Sequence, residues 1–168
     1  MSRLEKLTNI AVLLSCALLV AALGRNFYLS HTRPAAGTEA VARGQQITLP
    51  GYTPASTEST LIMVLSTECH FCKDSMPFYR KLTVLHRSAP GRLRVVAVLP
   101  QPESEASAYL DRNGVGVDHV FSLPPGDIGV NATPTLLLLD PRNKVEESWV
   151  GLLGDSQQVE VLENLRKL

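Results

Sequence analysis

Apolar and polar positions predict strands and helices that alternate along the middle of the chain. Residues 61–65 are a short, continuous apolar run, as expected of a central strand covered on both faces, and residues 93–99 predict the next strand. Residues 103–112 form a helix candidate that Asn113-Gly114 ends. Between the two strands, apolar residues three apart predict another helix with one buried face: Met76, Tyr79, Leu82 and Leu85.

The C-terminal part predicts a short strand, a hairpin and a last helix. Residues 117–123 are the short strand candidate, and residues 135–140 and 145–150 are two strands joined by a tight turn. The last helix, capped by Asp155 or Ser156, keeps a helical apolar period: Val159, Leu162, Leu165 and Leu168. This order predicts an α/β fold with a mixed central sheet flanked by helices, parallel in part and antiparallel at one edge.

The N-terminal region contains an uncharged run, IAVLLSCALLVAAL, at residues 10–23. Its length is below the roughly 20 residues that span a bilayer and fits the apolar region of a signal peptide. No clean small-x-small cleavage site follows it, and neighbouring residues at both ends lengthen it. We expect residues 1–29 to form an uncleaved signal anchor, a transmembrane helix, with a cleaved signal peptide and a buried helix as alternatives.

Residues 30–46 predict a flexible tether, because they contain few large apolar residues and many Ala, Gly and Thr. A folded domain is then expected over residues 47–168. If residues 1–29 are a secretory signal, this domain is extracytoplasmic, where disulfides persist. We expect it on the periplasmic side of the inner membrane, held to the membrane by the N-terminal helix.

Composition limits the classes of function. Of the 168 residues, 45% are hydrophobic and 19% are charged, so an apolar core can form without disulfide bonds. Lys and Arg number 16, Asp and Glu number 16, and the net charge of zero comes without a basic cluster. This pattern argues against nucleic acid as a partner.

Cys69 and Cys72 are separated by two residues, a spacing found in metal sites, structural disulfides and redox pairs. Zinc needs two further ligands, and neither His70 nor His86 is placed to complete a tetrahedron. Copper(I) bound with the help of His119 stays open as an alternative. A disulfide that closes so short a loop stabilises little, so redox chemistry without a metal is favoured.

The position of the pair supports redox chemistry. Cys69 comes where a predicted strand ends and a helix begins, so unpaired N–H groups and the helix dipole favour its thiolate. A protonated His70 adds positive charge beside the same sulfur. Cys72, one helical turn later, is the natural resolving thiol.

The motif around the pair resembles that of the thioredoxin fold. The segment Cys69–Cys72, followed by Lys73 and Pro77, is similar to the pattern C-x-x-C-K-x-x-x-P of that fold. Thr133-Pro134 before a strand resembles the cis-proline loop, and Gly151 resembles the glycine after the last strand. The resemblance covers residues 47–168.

This resemblance implies roles for the matched residues. It makes Cys69 the nucleophile and Cys72 the resolving thiol of a redox-active disulfide, with no other cofactor. Pro77 is expected to kink the helix, and Thr133-Pro134 to bind an extended substrate and deny metals access to the thiols. The implied partners are protein thiols and disulfides.

Some positions depart from cytoplasmic thioredoxins. Those proteins have Gly-Pro between the cysteines, where this chain has His70-Phe71, and a buried Asp where it has Met63. Their proton relay is therefore absent here or supplied by another group such as Glu68. The predicted anchor and a longer stretch before Pro134 resemble the membrane-anchored TlpA/ResA-like group, which implies a membrane-embedded electron donor or acceptor.

The direction of electron flow depends on residues that tune the pair. His70 beside the first cysteine favours an oxidant, whereas the resemblance to the anchored group favours a reductant. We expect the protein to be a reductant. Phe71 and Glu68 are further candidates for tuning the redox potential of the pair. Two other activities remain as alternatives: copper(I) delivery by the same fold, and a peroxiredoxin-like peroxidase. The latter is suggested by Ser66-x-x-Cys69, although Ile62 replaces the proline of that motif.

Overall fold

The apolar runs pair into a five-stranded mixed sheet in the computed structural model, which describes residues 41–53, 57–88 and 91–168. The strands are β1 (Ser59–Val64), β2 (Leu93–Leu99), β3 (His119–Ser122), β4 (Thr135–Leu139) and β5 (Val145–Val150). The helices are α1 (His70–Ser88), α2 (Glu103–Arg112) and α3 (Asp155–Arg166), with a 3-10 helix at Pro125–Ile128.

The strand order is β3-β2-β1-β4-β5. Strands β1, β2 and β3 are parallel, while β4 runs antiparallel to both β1 and β5. The predicted sheet, parallel in part and antiparallel at one edge, is therefore confirmed. Both crossovers, β1-α1-β2 and β2-α2-β3, step in the same direction along the sheet, so their common right-handedness puts α1 and α2 on one face.

The two faces of the sheet are covered by different parts of the chain. Successive side chains of β1 alternate between faces, and all six residues are buried. Leu61 and Met63 face the helices, whereas Ile62 and Val64 face the opposite side. That second side is covered by the segment before β1 and by residues around the 3-10 helix: Val41, Ile47, Leu49, Ile128 and Val130.

The start of the domain differs from the expected boundary at residue 47. Val41 is buried, Gly44 donates its N–H to the Val145 carbonyl at 2.7 Å, and Gln46 forms a β-bridge with Lys144. Residues 41–46, expected to belong to the tether, therefore lie along β5. A single apolar residue among polar neighbours gives no periodic signal, which is why the sequence pattern placed these residues outside the domain.

The predicted signal anchor, residues 1–29, and the first part of the predicted tether, residues 30–40, lie outside the described residues. Among the helices that the structure does describe, none combines the length and the apolar character needed to cross a membrane.

Candidate active site

The sheet brings the cysteine pair and the Thr-Pro segment together. Cys69 follows the C-terminal end of β1, and α1 starts at the next residue. Strand β4 pairs antiparallel with β1, with Thr135 opposite Val64, so the start of β4 lies beside the end of β1. The loop that contains Thr133 and Pro134 is therefore adjacent to Cys69, as the resemblance implied.

Cys69 is half-buried and its sulfur contacts two polar groups. Its thiol donates a hydrogen bond to the Thr133 carbonyl at 3.4 Å, and its sulfur accepts the backbone N–H of Cys72 at 3.1 Å. An amide N–H at the first turn of a helix has no carbonyl partner within the helix, so it is free to stabilise negative charge on sulfur. Both cysteines carry free thiols in the structure.

Cys72 has no exposed surface, and its thiol is strongly biased toward the protonated form. Burial raises the pKa of Cys72 to about 12, and a hydrogen bond with the Cys69 sulfur acts in the same direction. Two groups oppose this shift, because the backbone of Ser66 and the side chain of Thr133 lower the pKa of Cys72. At neutral pH, Cys72 is therefore a thiol.

The segment Thr133–Pro134 is fixed by hydrogen bonds on both sides. Its peptide bond is cis, and the Pro134 carbonyl accepts the Gly151 N–H at 2.7 Å. The Thr135 hydroxyl donates to the Ala132 carbonyl at 2.8 Å. Gly151 has a φ of 85°, a left-handed conformation that side chains with a Cβ rarely adopt. Gly151 thus ties the end of β5 to the loop that contacts the Cys69 sulfur.

The residues expected to tune the pair lie on its exposed side. The His70 Nε2 atom is 3.1 Å from the Asp74 carboxylate one turn later, and the His70 side chain is 80% exposed. Phe71 is 54% exposed, and its ring lies edge-on to that of His70 with a centroid separation of 5.9 Å. Glu68 is exposed; its N–H donates to the Ser66 hydroxyl oxygen, and no described residue bonds its carboxylate.

The core side of the pair contains two tyrosines that sequence reasoning missed. Cys72 packs in one apolar cluster with Met63, Tyr79 and Tyr109. Burial raises the pKa of both tyrosines, and negative charge on either cysteine raises it further. Tyr79 hydrogen-bonds Ser75, whereas the buried Tyr109 hydroxyl has no partner among the described residues. Their signal in the sequence was only that of helical core positions.

A polar side chain after β2 holds the loop before Cys69. The Gln101 Oε1 atom accepts the Thr67 N–H at 3.3 Å, and its Nε2 donates to the Ser66 hydroxyl oxygen at 3.3 Å. From α2, the Glu105 carboxylate accepts a hydrogen bond from the Thr67 hydroxyl at 3.3 Å. The available signal was the position of Gln101, just past the strand predicted at residues 93–99.

Pro77 lies inside α1. Because proline has no N–H, it cannot donate a hydrogen bond to the carbonyl of Lys73 one turn earlier. This missing helical hydrogen bond is the local defect that the predicted kink requires. In the preceding turn, the Ser75 hydroxyl donates to a different carbonyl, that of Phe71, at 2.8 Å.

The ligands considered for a metal are not brought together. In the described part of the chain, no three His, Cys, Asp or Glu side chains gather as a metal site would require. His119, the copper ligand of the alternative, begins β3, which is separated from β1 by β2. Its ring packs against Tyr52 and Phe121 at centroid distances of 6.0 and 6.4 Å.

Comparison by sequence finds no relative: no family model and no curated protein matches the chain. Comparison of structures finds many. DsbE from Chlorobium tepidum, named as a thiol:disulfide interchange protein, has a TM-score of 0.57 at 18% identity, over 78% of this chain and 98% of that one. The thioredoxin domain of a thiol-disulfide oxidoreductase from Bacteroides vulgatus has a TM-score of 0.55 at 13% identity, over 74% and 98%.

A secreted thiol-disulfide isomerase from Corynebacterium glutamicum is also similar, with a TM-score of 0.51 at 16% identity, over 62% of this chain and 68% of that one. At such identities the likeness establishes the fold. The chain has the thioredoxin-like fold, with a mixed five-stranded sheet, three described helices and a cysteine pair, Cys69 and Cys72, at the start of α1.

Proposed function

We propose that the domain is a thiol-disulfide oxidoreductase that exchanges a Cys69–Cys72 disulfide with protein partners and acts mainly as a reductant. The observation that carries this proposal is the asymmetry of the pair. Cys69 is accessible and hydrogen-bonded by the Cys72 amide, whereas Cys72 is fully buried directly behind it. The structural neighbours described above are named for the same class of reaction.

In the first step, the Cys69 thiolate attacks one sulfur of a partner's disulfide. A new bond forms between Cys69 and that sulfur while the partner's own S–S bond breaks. The partner's other sulfur leaves as a thiolate and takes a proton from solvent. The backbone N–H of Cys72 stabilises the negative charge on the attacking Cys69 sulfur. Because Cys69 is only half-buried, this sulfur can approach the partner's disulfide in line with the bond that breaks.

In the second step, the Cys72 thiol loses its proton to solvent and its thiolate attacks the Cys69 sulfur. The Cys69–Cys72 disulfide forms, the bond to the partner breaks, and the partner's second sulfur leaves and is protonated. Two electrons and two protons have then passed to the partner. The backbone of Ser66 and the side chain of Thr133 lower the pKa of Cys72 and so favour its charged form in this step.

Substrate binding is assigned to the loop with Thr133 and Pro134. An extended segment of the partner pairs with the backbone of Thr133 beside the mixed disulfide, and the exposed ring of Phe71 offers it an apolar contact. The Thr133 carbonyl already accepts a hydrogen bond from the Cys69 thiol, so a partner bound there lies beside the attacking sulfur.

The surroundings of His70 support the reducing direction. A free positive charge beside Cys69 stabilises the reduced thiolate and makes a couple more oxidising. Here the Asp74 carboxylate lies 3.1 Å from the His70 ring and offsets that charge. The uncharged run at residues 10–23 supports a membrane-anchored protein whose domain is extracytoplasmic and receives electrons from a membrane-embedded donor.

The test is the reduction potential of the full-length protein, equilibrated in glutathione buffers. A reductant gives a value more negative than that of glutathione, about −220 to −260 mV. A value equal to or above this range contradicts the reducing direction. Cys69→Ser is expected to abolish exchange, and Cys72→Ser to stop it at the mixed disulfide with the partner. Peroxide consumption that survives Cys72→Ser supports the peroxidase alternative instead.

A further inference from the structure

Helix α1 differs in charge from the other two described helices. It contains one acidic residue, Asp74, whereas α2 and α3 each contain three acidic residues and one arginine. Its lysines and arginines are all exposed, and we call these four side chains the basic face: Lys73, Arg80, Lys81 and Arg87. The helix that begins beside Cys69 therefore presents positive charge to its surroundings.

The basic face runs along one side of α1 and starts close to the active site. Lys73, Arg80 and Arg87 recur every seven residues, about two helical turns, so they stand in one row with Lys81 next to it. The row begins one turn after Cys69 and extends about 21 Å, at a rise of about 1.5 Å per residue. A small folded domain is about 30 Å across, so a partner protein at Cys69 can also reach this row.

The cations of the basic face have no acidic partner among the residues that the structure describes. Backbone carbonyls hold two of them: Arg80 Nη1 donates to the Asn113 carbonyl at 3.0 Å, and Arg87 Nε donates to the Thr83 carbonyl at 3.3 Å. A guanidinium carries five N–H donors, so each of these two arginines keeps donors for a further acceptor. The basic face is therefore partly fixed in place, and its charge is not compensated within the described domain.

The stability of the helix does not account for this charge. A cation near the C-terminal end of a helix is stabilised by the helix dipole, which suits Arg87 in the last turn of α1. Lys73 lies in the first turn, where the same dipole disfavours a cation, and Arg80 and Lys81 lie in the middle, beyond its reach. No acidic residue stands three or four positions from any of the four, so α1 has no ion pair of its own with them.

We propose that the basic face is a docking surface for an acidic region of the protein whose disulfide reacts with Cys69. This proposal rests on the proposed exchange reaction and specifies the charge of its partner. Two observations select an acidic protein as the occupant. Four uncompensated cations bind carboxylates, and the basic face continues from the exposed side chains beside Cys69, those of His70 and Phe71. Opposite charges speed the encounter and orient the partner's disulfide toward Cys69.

The test uses the reduced full-length protein in a neutral detergent and three peptides that differ only in charge. Each peptide carries one cysteine, joined by a disulfide bond to a chromogenic aromatic thiol, and a terminal run of Glu, Gln or Lys. A Gly-Ser spacer of about ten residues, which spans about 17 Å on average, separates the two. Attack by the Cys69 thiolate on the peptide sulfur forms a disulfide between Cys69 and the peptide and releases the coloured thiolate, whose rate of release is measured.

At about 0.01 M salt, we expect the acidic peptide to react about tenfold faster than the neutral one, and the basic peptide to react more slowly than both. At about 1 M salt the three rates should converge, because charges are screened beyond about 3 Å. The double variant Lys81→Gln with Arg87→Gln should reduce the ratio of the acidic to the neutral rate to about threefold, since half of the cations remain. Lys81→Gln alone should lower the ratio to an intermediate value and serves if the double variant does not fold.

The matched control is Lys144→Gln with Lys167→Gln. It removes the same charge from exposed positions in the turn before β5 and just after α3, outside the basic face. The ratio of the acidic to the neutral rate should stay at the wild-type value in this control.

Equal rates for the acidic and the neutral peptide at low salt overturn the proposal, and so does an unchanged ratio in the double variant. Binding of anionic lipid by the basic face also overturns it. In that case the charge of the peptide has no effect, and Lys81 is protected from acylation in nanodiscs that contain phosphatidylglycerol but not in neutral ones. Failure of the proposed function is a different result, since the wild-type protein then releases no coloured thiolate from the neutral peptide.

Discussion

Cys69 and Cys72 lie three residues apart at the start of one helix, yet one belongs to the surface and the other to the core. On the surface side, Cys69 is surrounded by backbone groups and by the exposed pair His70 and Asp74. On the core side, Cys72 has no exposed area and packs with apolar residues and the ring of Tyr79. The difference teaches that burial alone assigns the order of the two sulfurs, because an accessible sulfur can meet a partner and a buried one cannot.

The two sides also differ in how they are held. The groups that contact Cys69 are main-chain atoms that the helix start and the Thr133–Pro134 segment provide. Cys72 is held by the packing of buried side chains around it, including Met63 and Tyr79. The surface side is therefore held by hydrogen bonds and the core side by packing.

The largest expected difference between the reactions of Cys69 and Cys72 is in their dependence on pH. The reacting form of Cys72 is the thiolate, and burial, the largest cause of its raised pKa, persists when Cys69 is bonded to a partner. The rate of resolution should therefore rise by about tenfold per pH unit between pH 6 and pH 9. Reduced protein mixed rapidly with a symmetric chromogenic aromatic disulfide measures this rate, because attack by Cys69 releases one coloured thiolate and resolution by Cys72 releases the second.

The control for the pH experiment is the release of the first coloured thiolate by Cys72→Ser, because this variant has no Cys72 thiol to titrate. A resolution rate that becomes independent of pH below about pH 9 contradicts the expectation. It shows that a group on the core side accepts the proton from Cys72 before solvent does.

A smaller effect is expected from Tyr109→Phe. The Tyr109 hydroxyl is buried and has no partner in the described part of the chain, so its removal should raise the free energy of unfolding by about 1 kcal/mol. Tyr79→Phe is the matched variant, because Tyr79 hydrogen-bonds Ser75 and should lose a similar amount. Urea unfolding of the reduced protein measures both. If the free energy of unfolding changes equally and in the same direction in both variants, the Tyr109 hydroxyl is not the unpaired one.

The smallest effect is expected on the surface side, from Asp74→Asn. Removing the carboxylate takes a negative charge away from the first turns of α1, which stabilises the reduced form with its thiolate at Cys69. The reduction potential should rise by about 10–20 mV, since an exposed ion pair contributes at most about 1 kcal/mol. Asp111→Asn removes the same charge from the exposed surface of α2 and should leave the potential unchanged. A lower potential in Asp74→Asn contradicts the role given to this pair.

Much of the fold follows from local patterns in the sequence. Strand β2, helix α2 and strand β5 have the predicted bounds, because turn residues, such as Asn113-Gly114 after α2, mark where regular structure ends. The cysteine pair and Thr133-Pro134 are visible as motifs. Their proximity follows from placing β4 beside β1, a step that needed the resemblance to a known fold.

Other features depend on tertiary register and could not be predicted. In α3 the period suggested Val159 as a core residue, but Val159 is 53% exposed and Val161 is buried, because the helix presents a face rotated from the predicted one. Gln101 and Tyr109 become parts of the site only when β2 and α2 are placed beside the cysteine loop. No local pattern distinguishes them from an ordinary loop glutamine and core tyrosine.

Segment 41–46 protects one border of the sheet. Strand β5 is an edge strand, and an uncovered edge offers unpaired backbone groups to other chains. Here Gly44 and Gln46 occupy the start of that edge, and Val41 accepts a hydrogen bond from the Ser148 hydroxyl through its carbonyl. A truncated fragment that begins at residue 47 would expose this edge and invite self-association, so a soluble version for crystallisation should begin before Val41.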